Sequence, residues 1–233
     1  MIFRQLFEPE SSTYTYLLGC AESRQAVLVD PVLETVDRDL AAVQELGLTL
    51  AYTLETHVHA DHVTSADRLR SLTGSKVACP EMDGITCADV GVSEIAPLDL
   101  GSIRLQPLFT PGHTDAHHCY LVQLPASVQV LTGDALLIDG CGRTDFQGGD
   151  AETLYRSIHE KIFTLPNDSL VYPAHDYHDR HVSSVGEERE HNPRLGGGKT
   201  VEEFVAIMAA LDLPYPKKMD VAVPANLRCG ATE

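Results

Sequence analysis

The amino-acid sequence predicts an α/β fold, because short apolar segments of strand length alternate with segments whose apolar residues recur at helical spacing. The chain has 233 residues, of which 43% are apolar, and this is long enough for one large domain with a substantial core. Side chains of the types that bind metal ions follow several of the predicted strands. Ligands of layered α/β proteins usually bind where strands end, so we expect a metal site at such an edge.

Predicted strands and helices follow one another along the chain. Strands are predicted at residues 14–18, 26–30, 48–54, 77–80, 103–109, 120–122, 128–131 and 169–172. Helices are predicted over residues 36–46, 63–70, 154–165 and 201–211, with Asp150 as the N-cap of the third helix. A long polar loop is predicted at residues 178–199. No repeat or linker divides the sequence, so we predict a single domain over residues 1–233 with a short helical extension from about residue 200.

The charge balance restricts the partners of the protein. A net charge of −17 repels nucleic acid and anionic membranes, so neither is expected to bind. No apolar run approaches the roughly 20 residues that span a bilayer. The first residues lack the pattern of a secretion signal, and we therefore expect a cytoplasmic protein. An anionic substrate would need a local basic pocket, which makes single arginines near the site informative.

The cysteines are predicted to be reduced thiols that mostly act as small buried hydrophobic residues. No two of them form a Cys-x-x-Cys pair, and Cys141 and Cys229 are both interpreted as structural. The six positions are Cys20, Cys79, Cys87, Cys119, Cys141 and Cys229.

Three histidines and one aspartate lie within six consecutive positions directly after the predicted strand at residues 48–54. The segment reads Thr56-His57-Val58-His59-Ala60-Asp61-His62. An extended backbone would point His57 and His59 to the same side. Imidazole and carboxylate groups together suit borderline transition metals. A solvated loop that merely happens to be rich in histidine is the weaker interpretation, because so dense a set of metal-type side chains rarely arises as decoration.

Three further metal-type residues follow predicted strands, namely His113 in Pro-Gly-His-Thr, Asp134 in Thr-Gly-Asp and His175 in Pro-Ala-His. One histidine after a strand is more often structural, but four such strand ends in one chain are hard to explain in that way. The motifs, in this order, resemble those of the metallo-β-lactamase superfamily over nearly the whole chain. The resemblance implies a metallo-β-lactamase-like αββα sandwich, in which two packed mixed sheets carry helices on their outer faces.

Position 59 and several segments outside the ligand set indicate which branch of the superfamily this chain resembles. Flavodiiron oxygen reductases carry Glu where this chain has His59. Glyoxalase II enzymes use the same ligand set for two metals and hydrolyse a glutathione thioester, whereas persulfide dioxygenases bind one iron. Segments 141–147, 173–177, 192–195 and 223–230 resemble persulfide dioxygenases. Glyoxalase II enzymes also end in a longer helical domain, while only about one helix is predicted after Thr200.

The persulfide dioxygenase resemblance implies one Fe(II) per chain, held by His57, His113 and Asp134. Two histidines and one carboxylate form a facial triad with open coordination positions. The remaining metal-type residues are then expected to orient the ligands by hydrogen bonds. These supporting residues are His59, Asp61, His62 and His175.

The implied substrate is glutathione persulfide, which O2 and water would convert to sulfite and glutathione. Arg143 and Arg194 are predicted to bind its carboxylates, because a guanidinium pairs bidentately with a carboxylate. Tyr177 is predicted to reach the substrate sulfur, and with His175 and Asp61 it is a candidate catalytic residue. The sequence does not reveal the number of subunits, and a homodimer is one possibility. The alternatives are a two-zinc hydrolase of S-lactoylglutathione and a non-enzymatic metal-loaded sensor of glutathione-bound sulfur.

Overall fold

Two six-stranded mixed sheets are present in the computed structural model, which describes residues 1–124, 127–177 and 179–231. The first sheet contains β1 (Ile2–Glu8), β2 (Thr13–Gly19), β3 (Gln25–Val29), β4 (Thr49–Leu54), β5 (Lys76–Pro80) and β6 (Val90–Val92). Its strands lie in sequence order; β1 to β3 are antiparallel neighbours, and β3 to β6 are parallel. The parallel strands bring their carboxyl ends to one edge, where the histidine-rich segment begins.

The second sheet contains β7 (Leu98–Leu100), β8 (Ile103–Phe109), β9 (His118–Leu124), β10 (Ser127–Gly133), β11 (Leu170–Pro173) and β12 (Ser183–Ser184). These strands also lie in sequence order. β10 and β11 are parallel, so the residues that follow them leave the sheet on the same side. Those residues are Asp134 and His175.

The helices are α1 (Val36–Glu45), α2 (Ala66–Thr73), α3 (Ala151–Ser157), α4 (Val185–His191), α5 (Val201–Ala209) and α6 (Met219–Asn226). A π-helical turn at Ile158–Ile162 continues α3. Asp150 caps α3 as predicted, since its side chain accepts a hydrogen bond from the backbone N–H of Thr153. In the described ranges no helix combines the length and apolar character that crossing a membrane requires.

The chain divides into two compact units, each with its own buried apolar cluster. The first unit comprises Met1–Leu105 together with the chain from Tyr215 onwards, and Leu17, Leu28 and Leu69 lie in its cluster. The second unit is Gln106–Pro214, with a cluster that includes Leu154 and Phe204. The single domain over residues 1–233 stays a prediction.

Several elements differ from the sequence-based expectation. The long polar loop predicted at residues 178–199 is wrong, because this stretch contains β12 and α4. Only Val185 and Glu188 of α4 are buried, so the helix has no apolar stripe that its sequence could reveal. The expectation of about one helix after Thr200 is also wrong, since α6 follows α5. Pro224 inside α6 made a helix difficult to predict there.

The prediction of six reduced thiols is wrong for one pair, because Cys87 and Cys229 form a disulfide with a Cα–Cα distance of 6.1 Å. The two residues are 142 positions apart, so their proximity is a product of the fold that spacing rules cannot reveal. The other four cysteines are free and buried, as expected. Burial raises the pKa of the Cys119 thiol to about 12, which keeps it protonated and unreactive.

Candidate metal centre

Asp30 anchors the histidine-rich segment of the first unit. It directly follows β3, its backbone N–H donates to the carbonyl of Leu54 at the end of β4, and its side chain is almost fully buried. One carboxylate oxygen accepts from the backbone N–H of Thr56 at 2.7 Å and lies 3.1 Å from His59 Nε2. The other oxygen accepts from the Thr56 hydroxyl at 2.9 Å. Asp30 was not predicted as a site residue, although a carboxylate at the end of a predicted strand was a usable signal.

The tautomer of His57 follows from the same network. His57 Nδ1 lies 2.9 Å from the Thr56 hydroxyl oxygen, and that hydroxyl gives its own proton to Asp30. We therefore assign the Nδ1 proton of His57 to a hydrogen bond with Thr56. In the neutral ring Nε2 then carries the lone pair, which is the form that binds metal ions.

His57, His59 and His62 lie side by side, with ring centroids 4.1 Å and 4.3 Å apart in that order. Burial opposes a charge on His59, yet the nearby carboxylates of Asp30 and Glu55 raise its pKa well above the usual value. His59 Nδ1 and His62 Nε2 are both buried and form no hydrogen bond within the described residues. Buried ring nitrogens are normally satisfied, and a metal ion would satisfy both atoms once each ring presents a lone pair.

Asp61 completes this group in the first unit. Its Oδ2 lies 2.9 Å from His62 Nδ1 and accepts a hydrogen bond from the Thr13 hydroxyl at 3.1 Å. His59, Asp61 and His62 can each offer one ligand atom, and these atoms lie within 4.8 Å of one another. Three of the four residues predicted to support the metal ligands are therefore themselves a compact set of metal-type donors.

The second unit brings His113, Asp134 and His175 together, as the sequence predicted for strand ends. The two carboxylate oxygens of Asp134 lie 3.4 Å from His113 Nε2 and 3.4 Å from His175 Nε2. The oxygen next to His175 is buried and forms no hydrogen bond within the described part of the chain. The backbone N–H of Asp134 donates to His117 Nε2 at 3.2 Å, so His117 helps to hold Asp134 in place. His117 was not predicted as a site residue.

His113 is held in a metal-competent tautomer. Its Nδ1 donates to the backbone carbonyl of Arg143 at 2.7 Å, which leaves the lone pair of the neutral ring on Nε2. Gly142 permits this approach, because a Cβ at that position would lie 2.5 Å from the Asp134 carbonyl oxygen and 2.7 Å from His113 Nδ1. Segment 141–147 thus supports the metal-type residues as well as carrying Arg143.

The arginines predicted to bind substrate already have partners. Arg143 pairs bidentately with Asp145 at 2.7 Å and 2.8 Å, and it donates to the Pro214 carbonyl at 2.7 Å. Arg194 donates to the backbone carbonyl of Cys141 at 2.8 Å. These contacts orient both guanidinium groups, and an incoming carboxylate would compete with Asp145 for Arg143.

Tyr177 is well exposed, with 64% of its surface accessible. Its ring stacks on that of His175, with centroids 5.7 Å apart and an interplanar angle of 13°. The stacking places the tyrosine beside one predicted supporting residue of the metal centre.

The donor atoms of both units fit a metal ion. They are imidazole nitrogens and carboxylate oxygens, which suit borderline transition metals. Three of these donor atoms (His59 Nδ1, His62 Nε2 and Asp134 Oδ1) are buried without a hydrogen bond in the described ranges, a costly arrangement unless a ligand satisfies them. These observations support a metal cofactor without identifying the element.

Comparison with known proteins identifies the family. Residues 9–175 match the sequence profile of the metallo-beta-lactamase superfamily. Persulfide dioxygenase ETHE1 of Bos taurus is 53% identical over 231 residues, which cover 99% of this chain and 89% of that protein. The Homo sapiens protein of the same name is also 53% identical with the same coverage.

The chain belongs to the persulfide dioxygenase family. A solved structure of a family member, ETHE1 from Myxococcus xanthus, matches with a TM-score of 0.94 and 54% identity and covers 99% of this chain and 100% of that one. Both the predicted family and the metallo-β-lactamase fold are thereby confirmed. Membership favours the persulfide dioxygenase interpretation over the glyoxalase II alternative. The individual metal ligands and substrate contacts stay predictions.

Proposed function

We propose that this chain is an iron-dependent glutathione persulfide dioxygenase, which converts glutathione persulfide, O2 and water to glutathione and sulfite. The observation that carries the proposal is 53% identity, over nearly the whole chain, to proteins named persulfide dioxygenase. The buried nitrogen and oxygen donors support a metal-dependent reaction. The acidic chain needs local cations to hold an anionic substrate, and Arg143 and Arg194 are the candidates.

One Fe(II) per chain would be held by His57, His113 and Asp134. The support is that both histidines have their Nδ1 proton engaged, by Thr56 and by the Arg143 carbonyl, so that each presents Nε2. When bound, the iron supplies the redox chemistry that joins oxygen to the persulfide sulfur. The protein supplies the orientation of the ligands and of the substrate.

The remaining polar residues would orient ligands and substrate. Asp61 would hold the imidazole of His62, and His175 would fix the carboxylate of Asp134. With His59, these residues would set the charge of the pocket without holding a second metal. Tyr177 is exposed enough for its hydroxyl to meet the substrate sulfur.

Replacing Arg143 or Arg194 with alanine is expected to weaken substrate binding and to leave iron content unchanged. Loss of a charge-assisted contact costs on the order of 1.5–3 kcal/mol, or about one to two decades in kcat/KM. Steady-state oxygen uptake at varied persulfide concentration measures the effect. Arg104→Ala is the matched control, because Arg104 makes the same bidentate pair with Asp99 on the exposed surface. If kcat/KM stays at the wild-type value in both site variants, as it should in the control, the two arginines do not bind the substrate and have only a structural role.

The partners proposed are glutathione persulfide and O2, and the net charge of −17 disfavours nucleic acid and anionic membranes. The cytoplasmic location stays a prediction, and a homodimer stays one possible assembly. The relatives from Bos taurus and Homo sapiens are described as mitochondrial, so the location of this chain needs its own measurement.

The deciding experiment measures oxygen uptake by iron-loaded protein with and without glutathione persulfide, together with elemental analysis. We expect multiple turnovers that depend on the persulfide, with about one iron per chain. Two tightly held zinc ions, with hydrolysis of S-lactoylglutathione that needs no oxygen, would instead establish the hydrolase alternative. Tight metal binding without turnover on either substrate would favour a sensor.

A further inference from the structure

The side chain of Asn226, at the end of α6, contacts the histidine-rich segment through its whole amide group. Its Nδ2 donates to the backbone carbonyls of His59 and His62, both at 2.9 Å. Its Oδ1 accepts from the backbone N–H of Thr64, also at 2.9 Å. Asn226 is only 4% exposed, so these bonds form away from water. The amide thus uses both donor hydrogens and its acceptor on one short stretch of backbone.

That stretch contains no helix or strand, and a single isolated bridge joins its residue Thr64 to Val32. Residues 55–65 lie between the end of β4 and the start of α2, and their polar backbone groups have no strand or helix ladder within the segment. A buried carbonyl without a hydrogen bond is costly, so an external donor is needed. Asn226 supplies it from 167 and 164 positions away in the sequence.

The segment that presents Asn226 is itself fixed within the first unit. Ala222 and Ala225 of α6 pack against Val63 in a small buried cluster. Further along, the Cys229 carbonyl accepts from the backbone N–H of Asp67 at 2.9 Å, and Cys229 is bonded to Cys87.

Gly230 packs closely against the backbone of Thr64, at the end of the same segment. Its φ is +83°, and a Cβ there would lie 2.0 Å from the carbonyl oxygen of Thr64. Only glycine fits both the left-handed conformation and the close approach. These contacts of α6 and of the residues after it hold the Asn226 amide in a fixed position.

We propose that Asn226 is a positioning residue for metal binding, which fixes the curvature of the His57–His62 segment by holding two of its carbonyls. Its hydrogen bonds go to backbone atoms, so it acts through the backbone that carries the imidazoles of His59 and His62 and, two positions before His59, that of His57. The inference rests on the proposed role of this segment in a metal centre. It adds a second requirement for metal binding besides the ligand residues, namely that helix α6 must be packed against the histidine-rich segment.

The test is a Co(II) titration of metal-depleted protein, followed by the visible absorption of Co(II) and by the rise in Tm that Co(II) causes. Asn226→Leu keeps the approximate size and removes every hydrogen bond, while Asn226→Ala avoids placing methyl groups against the carbonyls. We expect Co(II) affinity to fall about 10–100-fold in both variants, as it does when groups around metal ligands are lost. The Co(II)-induced rise in Tm should shrink accordingly, and the absorption spectrum should change shape.

Arg24→Ala is the matched control in the same unit. Arg24 also donates from its side chain to two backbone carbonyls, those of Leu46 and Gly47, but these lie before β4 and not after it. We expect this variant to bind Co(II) with wild-type affinity and spectrum.

Two results would overturn the proposal. One is an Asn226 variant whose metal-free form has a lower Tm but whose Co(II) affinity and spectrum equal those of the wild type, which would make the role purely structural. The other is unfolding of both metal-free variants, which would show that the amide holds the whole unit. The Co(II) titration does not depend on turnover. Absence of persulfide-dependent oxygen uptake in the wild type would contradict the proposed function, but the effect of the Asn226 variants on Co(II) binding could still be interpreted.

Discussion

His113→Ala is expected to empty the iron site and to abolish persulfide-dependent oxygen uptake. The variant removes a proposed ligand whose Nδ1 is already held by the Arg143 carbonyl and whose Nε2 lies 3.4 Å from Asp134. The loss should exceed the roughly 10–100-fold caused by changes around a ligand. Iron content and oxygen uptake of the purified variant measure both effects.

Asp61→Ala and His62→Ala are the matched comparison, since both residues are metal-type donors of the same histidine-rich segment. We expect these variants to keep their iron and to turn over about 10–100-fold more slowly. If each variant instead loses one of two bound metals, with activity falling in proportion, the single-iron mechanism is wrong. The comparison is sharp because His59, Asp61 and His62 have the geometry to bind an ion themselves.

The sequence predicted the strand ends well, because the pattern of apolar residues and the residues that interrupt it are local properties. β4, β10 and β11 were each foreseen with the metal-type residue that follows, and the structure confirms the strands. Parallel pairing of β10 with β11 then explains why Asp134 and His175 meet. The missed helices α4 and α6 each make hydrogen bonds to residues far away in the sequence.

Helix α4 illustrates this limit. Its buried polar residue Glu188 accepts from the Ser183 hydroxyl at 2.6 Å, from Asn192 Nδ2 at 2.8 Å and from the backbone N–H of Asp139 at 3.1 Å. A glutamate in a polar stretch indicates a surface loop until those partners are known. The sequence contains the residue but does not say that it is buried.

The supporting residues of the metal centre were harder to predict than its ligands for the same reason. Metal-type side chains are recognised by their chemistry, whereas Asp30, Gly142 and Asn226 matter through the backbone groups that they touch. Asn226 meets its partners only after α6 has docked, and Gly142 is required only because Asp134 and His113 approach it. Such roles depend on tertiary proximity, and spacing in one sequence does not encode it.

Asp30→Ala is expected to destabilise the metal-free protein strongly and to weaken metal binding as well. The variant leaves the Thr56 backbone N–H without its buried acceptor and removes the carboxylate that lies 3.1 Å from His59. Breaking a buried charged pair by removing one partner costs about 3–5 kcal/mol in the free energy of unfolding. The Thr56 hydroxyl also loses the group that fixes its direction, so the tautomer of His57 is no longer enforced. Urea unfolding and Co(II) titration measure the two losses separately.

Asp39→Ala separates the stability effect from the metal effect. Asp39 is another fully buried carboxylate of the first unit, but it pairs with Arg38 and Thr35 at the start of α1. We expect this control to lower the free energy of unfolding while Co(II) affinity of the folded protein stays at the wild-type value. Equal loss of Co(II) affinity in both variants would mean that any buried carboxylate supports the centre only through overall stability. A loss confined to Asp30→Ala, by about 10–100-fold, would instead trace metal binding to the hydrogen bonds that Asp30 makes with Thr56 and His59.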